Sequence, residues 1–230
     1  MRLVLSSIPA DTVGIYTING APNRMPSRAL FLAPEAAASF RAKLYPFVVI
    51  SDALRSADSS LNAVKRGRGA QPPGYSAHNY GLAVDLSTTA TMRRGGIRTK
   101  AVLDDLMESH GWFCHRRDHL LEHESWHYNF LGVGYKVSPK QRTTSPDVEA
   151  LILQRYGADL APSDTECQVM LKALRMYSGA IDGDIGPLSR EAISIFQRAW
   201  ASPKLHTTGK LDDRTRRTLA FVTAEREVVA

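Results

Sequence analysis

The sequence predicts an α+β domain followed by a small all-α domain, and three observations carry that expectation. Residues 33–131 mix short apolar, β-branched runs with amphipathic helical patterns. Beyond residue 147 only helical periodicity recurs. Between the two lies Ser138-Pro139-Lys140-Gln141-Arg142-Thr143-Thr144-Ser145-Pro146, polar and bracketed by prolines, which reads as a linker. The expected domains are therefore 1–137 and 147–230, joined by 138–146. A chain of 230 residues is long enough to bury two modest cores.

In the first domain, Ala33 to Leu44 predicts a helix, because Pro34 suits a first turn and Phe40 and Leu44 sit four apart. Phe47-Val48-Val49-Ile50 predicts a buried strand. Gly67 to Gly74, rich in Gly and Pro, is a loop. Residues 75–87 read as a loop entering a strand, with Leu82, Val84 and Leu86 on one side and Ala83 and Asp85 on the other. Thr99 to His110 predicts a helix that buries Val102, Leu103, Leu106 and Met107, with Gly111 as its stop signal. Trp126 to Leu131 reads as a further strand. Helical patterns follow at 147–156, 165–176, 189–200 and 212–222, separated by Gly- and Asp-rich turns, with no long-period repeat.

Composition excludes some classes and leaves others open. No run of 18 apolar residues occurs, which argues against a membrane-spanning helix. The segment from Met1 to Ala10 is too short in apolar residues for a signal peptide, so residence in the cytoplasm is expected. Cys114 and Cys167 fall in different expected domains and outside any CxxC pair, so buried or idle thiols are expected. Residues 1–145 hold 18 Lys and Arg against 11 Asp and Glu, a net +7, whereas residues 146–230 carry −1. A basic first domain suits a polyanion such as nucleic acid, a membrane surface or an anionic cell wall, and equally an ordinary solvated surface.

The chemistry concentrates in four side chains. His78 and Asp85 are seven apart, and Glu124 and His127 are three apart some forty residues later. A catalytic zinc takes three protein ligands from imidazole and carboxylate and leaves a position for water. A further carboxylate that does not bind the metal takes the proton from that water. Two His, one Asp and one spare Glu fill those roles. The odd offset from His78 to Asp85 needs a turn, which Gly81 supplies. No HExxH occurs. His115, His119 and His123 recur at intervals of four, but Arg116, Arg117 and Asp118 interleave them, so a solvated basic segment is expected there.

Ser76-Ala77-His78-Asn79-Tyr80-Gly81-Leu82-Ala83-Val84-Asp85 matches SxHxxGxAxD, and Glu124-Ser125-Trp126-His127 matches ExWH. With Ile50-Ser51-Asp52-Ala53-Leu54-Arg55-Ser56 upstream, which is similar to a strand ending in SGYRS, these blocks resemble the VanY-type zinc D-Ala-D-Ala carboxypeptidase family over roughly 45–135. The resemblance implies an antiparallel-sheet peptidase domain of the hedgehog/DD-peptidase type holding one Zn2+. His78, Asp85 and His127 would be its ligands and Glu124 the general base. Arg55 would hold a substrate carboxylate or polarise the scissile carbonyl, and Ser76 would touch substrate. Asp52-Ala53-Leu54 stands where the family commonly has Gly-Tyr, which alters the pocket beside Arg55.

Leu174 to Pro187, Ala192 to Gln197 and Thr208 to Asp212 resemble the peptidoglycan-binding-domain-like family, a three-helix module, with Arg175 in place of a usual Gly and Ser189 in place of Thr. The loop from Asp182 to Gly186 lacks the ligand series of an EF-hand, so calcium is not expected. The combined expectation is a monomeric hydrolase of peptidoglycan stem peptides, acting as a phage-type endolysin. It would cut L-Ala–D-Glu or D-Ala–D-Ala, residing in the cytoplasm of the producing bacterium until released to the wall. A wall-binding protein with an inactive peptidase fold is the alternative. Nucleic acid and stable membrane insertion are not expected as partners.

Overall fold

The computed structural model describes residues 3, 5–7, 16–18, 21–23, 31–44, 47–66, 71–114, 125–136, 148–200 and 205–229. They divide into two compact units, one of residues 4–55 and 77–151, the other of residues 1–3, 56–76 and 152–230. Among the described residues there are eight α-helices and one four-stranded sheet, so the α+β class holds.

The first unit is built on that sheet. Its strands are β5 (Ile50–Asp52), β6 (Ala83–Leu86), β7 (Trp112–Cys114) and β8 (His127–Phe130), all antiparallel, in the order β5-β6-β8-β7. Shorter pairs precede it in the chain: β1 (Ser6–Ser7) with β4 (Phe31–Leu32), and β2 (Tyr16–Ile18) with β3 (Ala21–Asn23). In the register, Val84 faces Tyr128, Cys114 faces Tyr128, and Trp112 faces Phe130. These side chains are fully buried with Leu82 and Leu86. Trp112 packs at 5.1 Å from Phe130 and edge-on at 6.4 Å from Phe40, so one sheet face is an aromatic core. The opposite face carries Asp85 against His127 and Ala83 against Asn129.

Helix α1 (Pro34–Ser39) starts on Pro34 as the sequence predicts, and its last turn widens into a π-helix at Phe40–Leu44. The predicted strand at 47–50 starts three residues and ends two residues before β5. Val48 and Val49 are buried, but the Val49 amide donates to the Thr91 hydroxyl while its carbonyl accepts from the Ser87 amide just beyond β6, and strand pairing begins at Ile50 against Leu86. Helix α3 (Thr88–Gly95), which supplies Thr91, is not predicted from the sequence, because it is polar on average and Thr91 is its one buried residue. Helix α4 (Lys100–Ser109) is capped by the Thr99 hydroxyl and buries Leu103 and Met107. Val102, predicted on the same face, is 53% exposed, because the buried stripe is narrower than the apolar run. Lys100, Asp104 and the Tyr128 hydroxyl form a buried polar cluster, with Tyr128 donating to Asp104 at 2.7 Å.

Two glycines fix where this unit turns. Gly81 has φ +66, and a Cβ there would lie 2.6 Å from the Ala33 nitrogen, which donates to the Gly81 carbonyl. Gly111 has φ +87, and a Cβ there would meet the Gly132 carbonyl carbon at 2.5 Å.

The second unit consists mainly of helices: α2 (Ala57–Lys65), α6 (Asp164–Ala173), α7 (Pro187–Ala199) and α8 (Asp213–Val229), with most of α5 (Val148–Tyr156). Residues 56–76, assigned by sequence to the first domain, pack with these helices instead. Arg217 donates to the Gly74 carbonyl at 2.7 Å and stacks over the Tyr75 ring at 4.2 Å, and Glu225 accepts from the first amide of α2 at 2.8 Å. Apolar patterning cannot reveal such polar attachments. The predicted linker 138–146 lies outside the described residues. Both cysteines are buried and unbridged, and burial pushes the Cys167 thiol up to about 11, against the lowering effect of Arg216.

Helix α6 opens with a full capping box between Ser163 and Glu166 and closes in a Schellman turn. There the Arg175 amide bonds to Lys172 and the Met176 amide to Leu171, which requires a left-handed residue at Arg175 (φ +60). Arg175→Gly is expected to raise stability by about 1 kcal/mol, because an L side chain is strained in that region. Urea denaturation of the two full chains measures it.

Candidate metal centre

The site is assembled from three stretches of the first unit. Asp85 and His127 are direct cross-strand neighbours of β6 and β8, so strand register alone brings them together. His78 comes from a turn of 3₁₀ helix at Ala77–Tyr80, where the sequence predicts only a loop. That turn is anchored at both ends: the Arg55 amide donates to the His78 carbonyl at 3.0 Å, and the Leu82 amide to the Ala77 carbonyl at 3.0 Å. Gly81 then reverses the chain into β6, as its position in the sequence suggests.

The three side chains converge on one point. His78 Nε2 lies 3.2 Å from His127 Nδ1 and 3.3 Å from Asp85 Oδ1, and His127 Nδ1 lies 2.8 Å from the same oxygen. His78 is buried, while the side chains of Asp85 and His127 are 15% and 13% exposed, so the point opens to solvent on one side. Among the described residues this is the only such metal-ligating cluster.

The other ring nitrogens determine what these atoms can do. His78 Nδ1 lies 2.6 Å from the Ala53 carbonyl, which can only accept, so Nδ1 carries a hydrogen. His127 Nε2 faces Asn129 Oδ1 at 3.0 Å, again an acceptor. In their neutral forms both imidazoles therefore point lone pairs at Asp85 Oδ1. Burial alone would raise the Asp85 pKa, but the charge of His78 and hydrogen bonds from His127 and His78 hold it well below the usual carboxylate range. With both imidazoles neutral the three atoms would be acceptors at contact distance, a repulsion relieved by protons on the facing nitrogens or by one cation in their place. Zinc bound at ~2.0–2.1 Å in tetrahedral geometry separates its ligand atoms by roughly 3.3 Å, close to the spacings here. The donor set and its outer hydrogen bonds thus fit a zinc ion.

Arg55 borders this point. Its guanidinium donates to Asp52 and lies 3.7 Å from Asp85 Oδ2, the carboxylate oxygen turned away from the imidazoles. Ser76 is half-buried, two residues before His78. Glu124 lies outside the described residues, as do His115, His119 and His123. Sequence reasoning missed Asn129 and Ala53. Asn129 was accessible in principle, since a residue two beyond a ligand on a strand shares its face. The Ala53 contribution is a backbone carbonyl, which no side-chain pattern encodes.

Asn129→Ala is expected to weaken zinc binding by about 10- to 100-fold by releasing the His127 ring, and His127→Ala to abolish stoichiometric binding. Competition titration against a chromophoric chelator measures both.

The VanY family model, described as D-alanyl-D-alanine carboxypeptidase, matches residues 37–133. The model of a putative peptidoglycan binding domain matches residues 162–219. No curated protein matches the chain. The first match spans Asp52, Arg55, His78, Asp85, His127 and Asn129. Residues 37–133 accordingly constitute a domain of the VanY D-alanyl-D-alanine carboxypeptidase family, followed in the same chain by a domain of the putative peptidoglycan-binding family.

Proposed function

We propose that this protein is a zinc-dependent peptidase that hydrolyses a peptide bond of the peptidoglycan stem, working as a phage-type endolysin. The observation that carries the reading is the convergence of His78 Nε2, His127 Nδ1 and Asp85 Oδ1, with both imidazole tautomers set from behind. Zinc held by these three residues supplies Lewis acidity toward the scissile carbonyl and lowers the pKa of water toward ~7.

The protein's own groups do the rest. Asp85 stays ionised, and His78 and His127 offer nitrogen lone pairs once their facing nitrogens are free of protons, so entry of the ion is coupled to release of those protons. Glu124, three residues before His127 in the ExWH block, takes the proton of the attacking water and returns it to the departing amine. Arg55 donates to substrate oxygen as negative charge develops there. Ser76, just ahead of the 3₁₀ turn, contacts the peptide.

The peptidoglycan-binding-family domain supports the choice of substrate, because an insoluble polymer is met rarely in bulk and a tethered enzyme stays at high local concentration. The pairing of peptidase and wall-binding domains supports the endolysin role. Synthesis in the cytoplasm of an infected bacterium and release to the wall belong to the same proposal. The scissile bond is D-Ala–D-Ala or L-Ala–D-Glu.

Purified protein incubated with peptidoglycan is expected to generate new D-Ala or L-Ala carboxyl termini, identified by mass spectrometry, and to lose that activity on chelation. Glu124→Ala should lower the rate on the order of 10²- to 10⁴-fold while zinc content is unchanged. Unaltered turnover in that variant would remove Glu124 from the mechanism.

A further inference from the structure

The guanidinium of Arg55 is already engaged. Its Nε and Nη2 both donate to Asp52 Oδ2, at 3.2 and 2.7 Å, and Nη2 also lies 3.7 Å from Asp85 Oδ2. A guanidinium clamps a carboxylate through two parallel N–H groups on one edge. Asp52 takes the edge formed by Nε and Nη2, and Asp85 draws the Nη2 that the other edge needs. Among the described residues, Nη1 is left as the guanidinium nitrogen without an acceptor.

The rest of Arg55 is equally fixed. Its amide donates to the His78 carbonyl at 3.0 Å, and its carbonyl accepts from Asn79 Nδ2 at 2.9 Å. Asp52 itself stands opposite Asp85 in the β5–β6 register and is 33% exposed, beside the candidate metal centre. A substrate carboxylate reaching for Arg55 would therefore meet one unengaged nitrogen and two carboxylates of its own sign. A neutral carbonyl needs only one donor and is not repelled.

We infer that Asp52 is a specificity-determining residue. By occupying the carboxylate-binding edge of Arg55, it makes that arginine a single donor to a neutral carbonyl, so the protein cleaves stem peptides whether or not they end in a free carboxylate. This rests on the peptidase reading above and deepens it toward internal bonds. Asp52 acts through Arg55 and touches neither the metal ligands' facing atoms nor the reacting bond.

The test uses the full zinc-loaded chain and two synthetic stem pentapeptides ending in D-Ala-D-Ala, one with a free terminal carboxylate and one as the terminal amide. For the wild type, kcat/KM for the two is expected to agree within about tenfold. Asp52→Asn, which keeps the shape and removes the charge, should shift the ratio toward the free acid by at least about tenfold, mainly through KM, as expected for a newly opened charge-assisted contact. A wild-type preference for the free acid above about 100-fold would overturn the inference. So would an Asp52→Asn variant that slows on both peptides equally, because that is the mark of structural support alone. Failure of the wild type to cleave either peptide or intact peptidoglycan would instead defeat the peptidase reading itself.

Discussion

The mutual approach of three electron-rich atoms, two imidazole nitrogens and a carboxylate oxygen, is the constraint around which the first unit is organised. Groups of this kind separate unless the backbone forbids it or protons or a cation join them. Here the backbone forbids it twice. Asp85 and His127 are locked by the β6–β8 register, where a slip of one residue would send one of them to the aromatic face. His78 is held by a turn whose carbonyl is tied to Arg55 and whose reversal needs the left-handed Gly81. The buried Trp112, Phe130 and Phe40 make that register costly to change. Stability on one face thus keeps three metal-ligating atoms together on the other, as expected of a preorganised binding site.

How much of this was legible in the sequence depended on what each feature is made of. The convergence of His78, Asp85 and His127, the candidate ligands, was legible because metal chemistry restricts residue type and the turn restricts spacing. Helices α4 to α8 were legible because burial imposes a period, whereas the sequence predicts no helix at α2. The β5 strand was misplaced because burial and pairing are different properties: Val48 and Val49 are as buried as a strand would make them, yet their amides donate elsewhere, to the Leu44 carbonyl and the Thr91 hydroxyl. Polar and backbone attachments were not legible. The carbonyl of Ala53 behind His78, the ion pair of Arg55 with Asp52, and the contacts of Arg217 and Glu225 with residues 56–76 leave no periodic trace.

The second unit contains a regularity that the linear sequence conceals. Gln168 and Gln197, both fully buried, perform the same task one helix apart. The Gln168 side-chain oxygen accepts from the amides of Asp182 and Gly183, and its nitrogen donates to the Asp184 carbonyl and the Ser189 hydroxyl. Gln197 accepts from Thr208 and Gly209 and donates to the Lys210 carbonyl and the Thr215 hydroxyl. Both loops turn on a left-handed glycine, Gly183 or Gly209. The Ser189 and Thr215 partners each open the following helix, so one amide fixes both a loop and the start of a helix. Loops held this way by buried polar networks are rigid before any ligand arrives. The substitution of Ser189 for the usual Thr is accommodated for the same reason, since the hydroxyl is the part the glutamine uses.

The charge balance around the candidate metal centre follows from the same geometry. Asp52, Asp85 and Arg55 together carry a formal −1, to which the two imidazoles add nothing in the neutral form that ligation of a cation requires. A divalent cation brings the cluster to +1. With a neutral residue in place of Asp52 the total would be +2, and Arg55 would present an open fork beside the ion. Such a site would attract anionic chain ends strongly, and an unreacted or product carboxylate could occupy it in competition with a scissile carbonyl. Asp52 removes one unit of that attraction at the place where a carboxylate would bind, while leaving the arginine charge in reach of an oxygen that becomes negative only during reaction. The departure from the usual Gly-Tyr beside Arg55 therefore changes when the site is attractive to negative charge, rather than whether it can stabilise it.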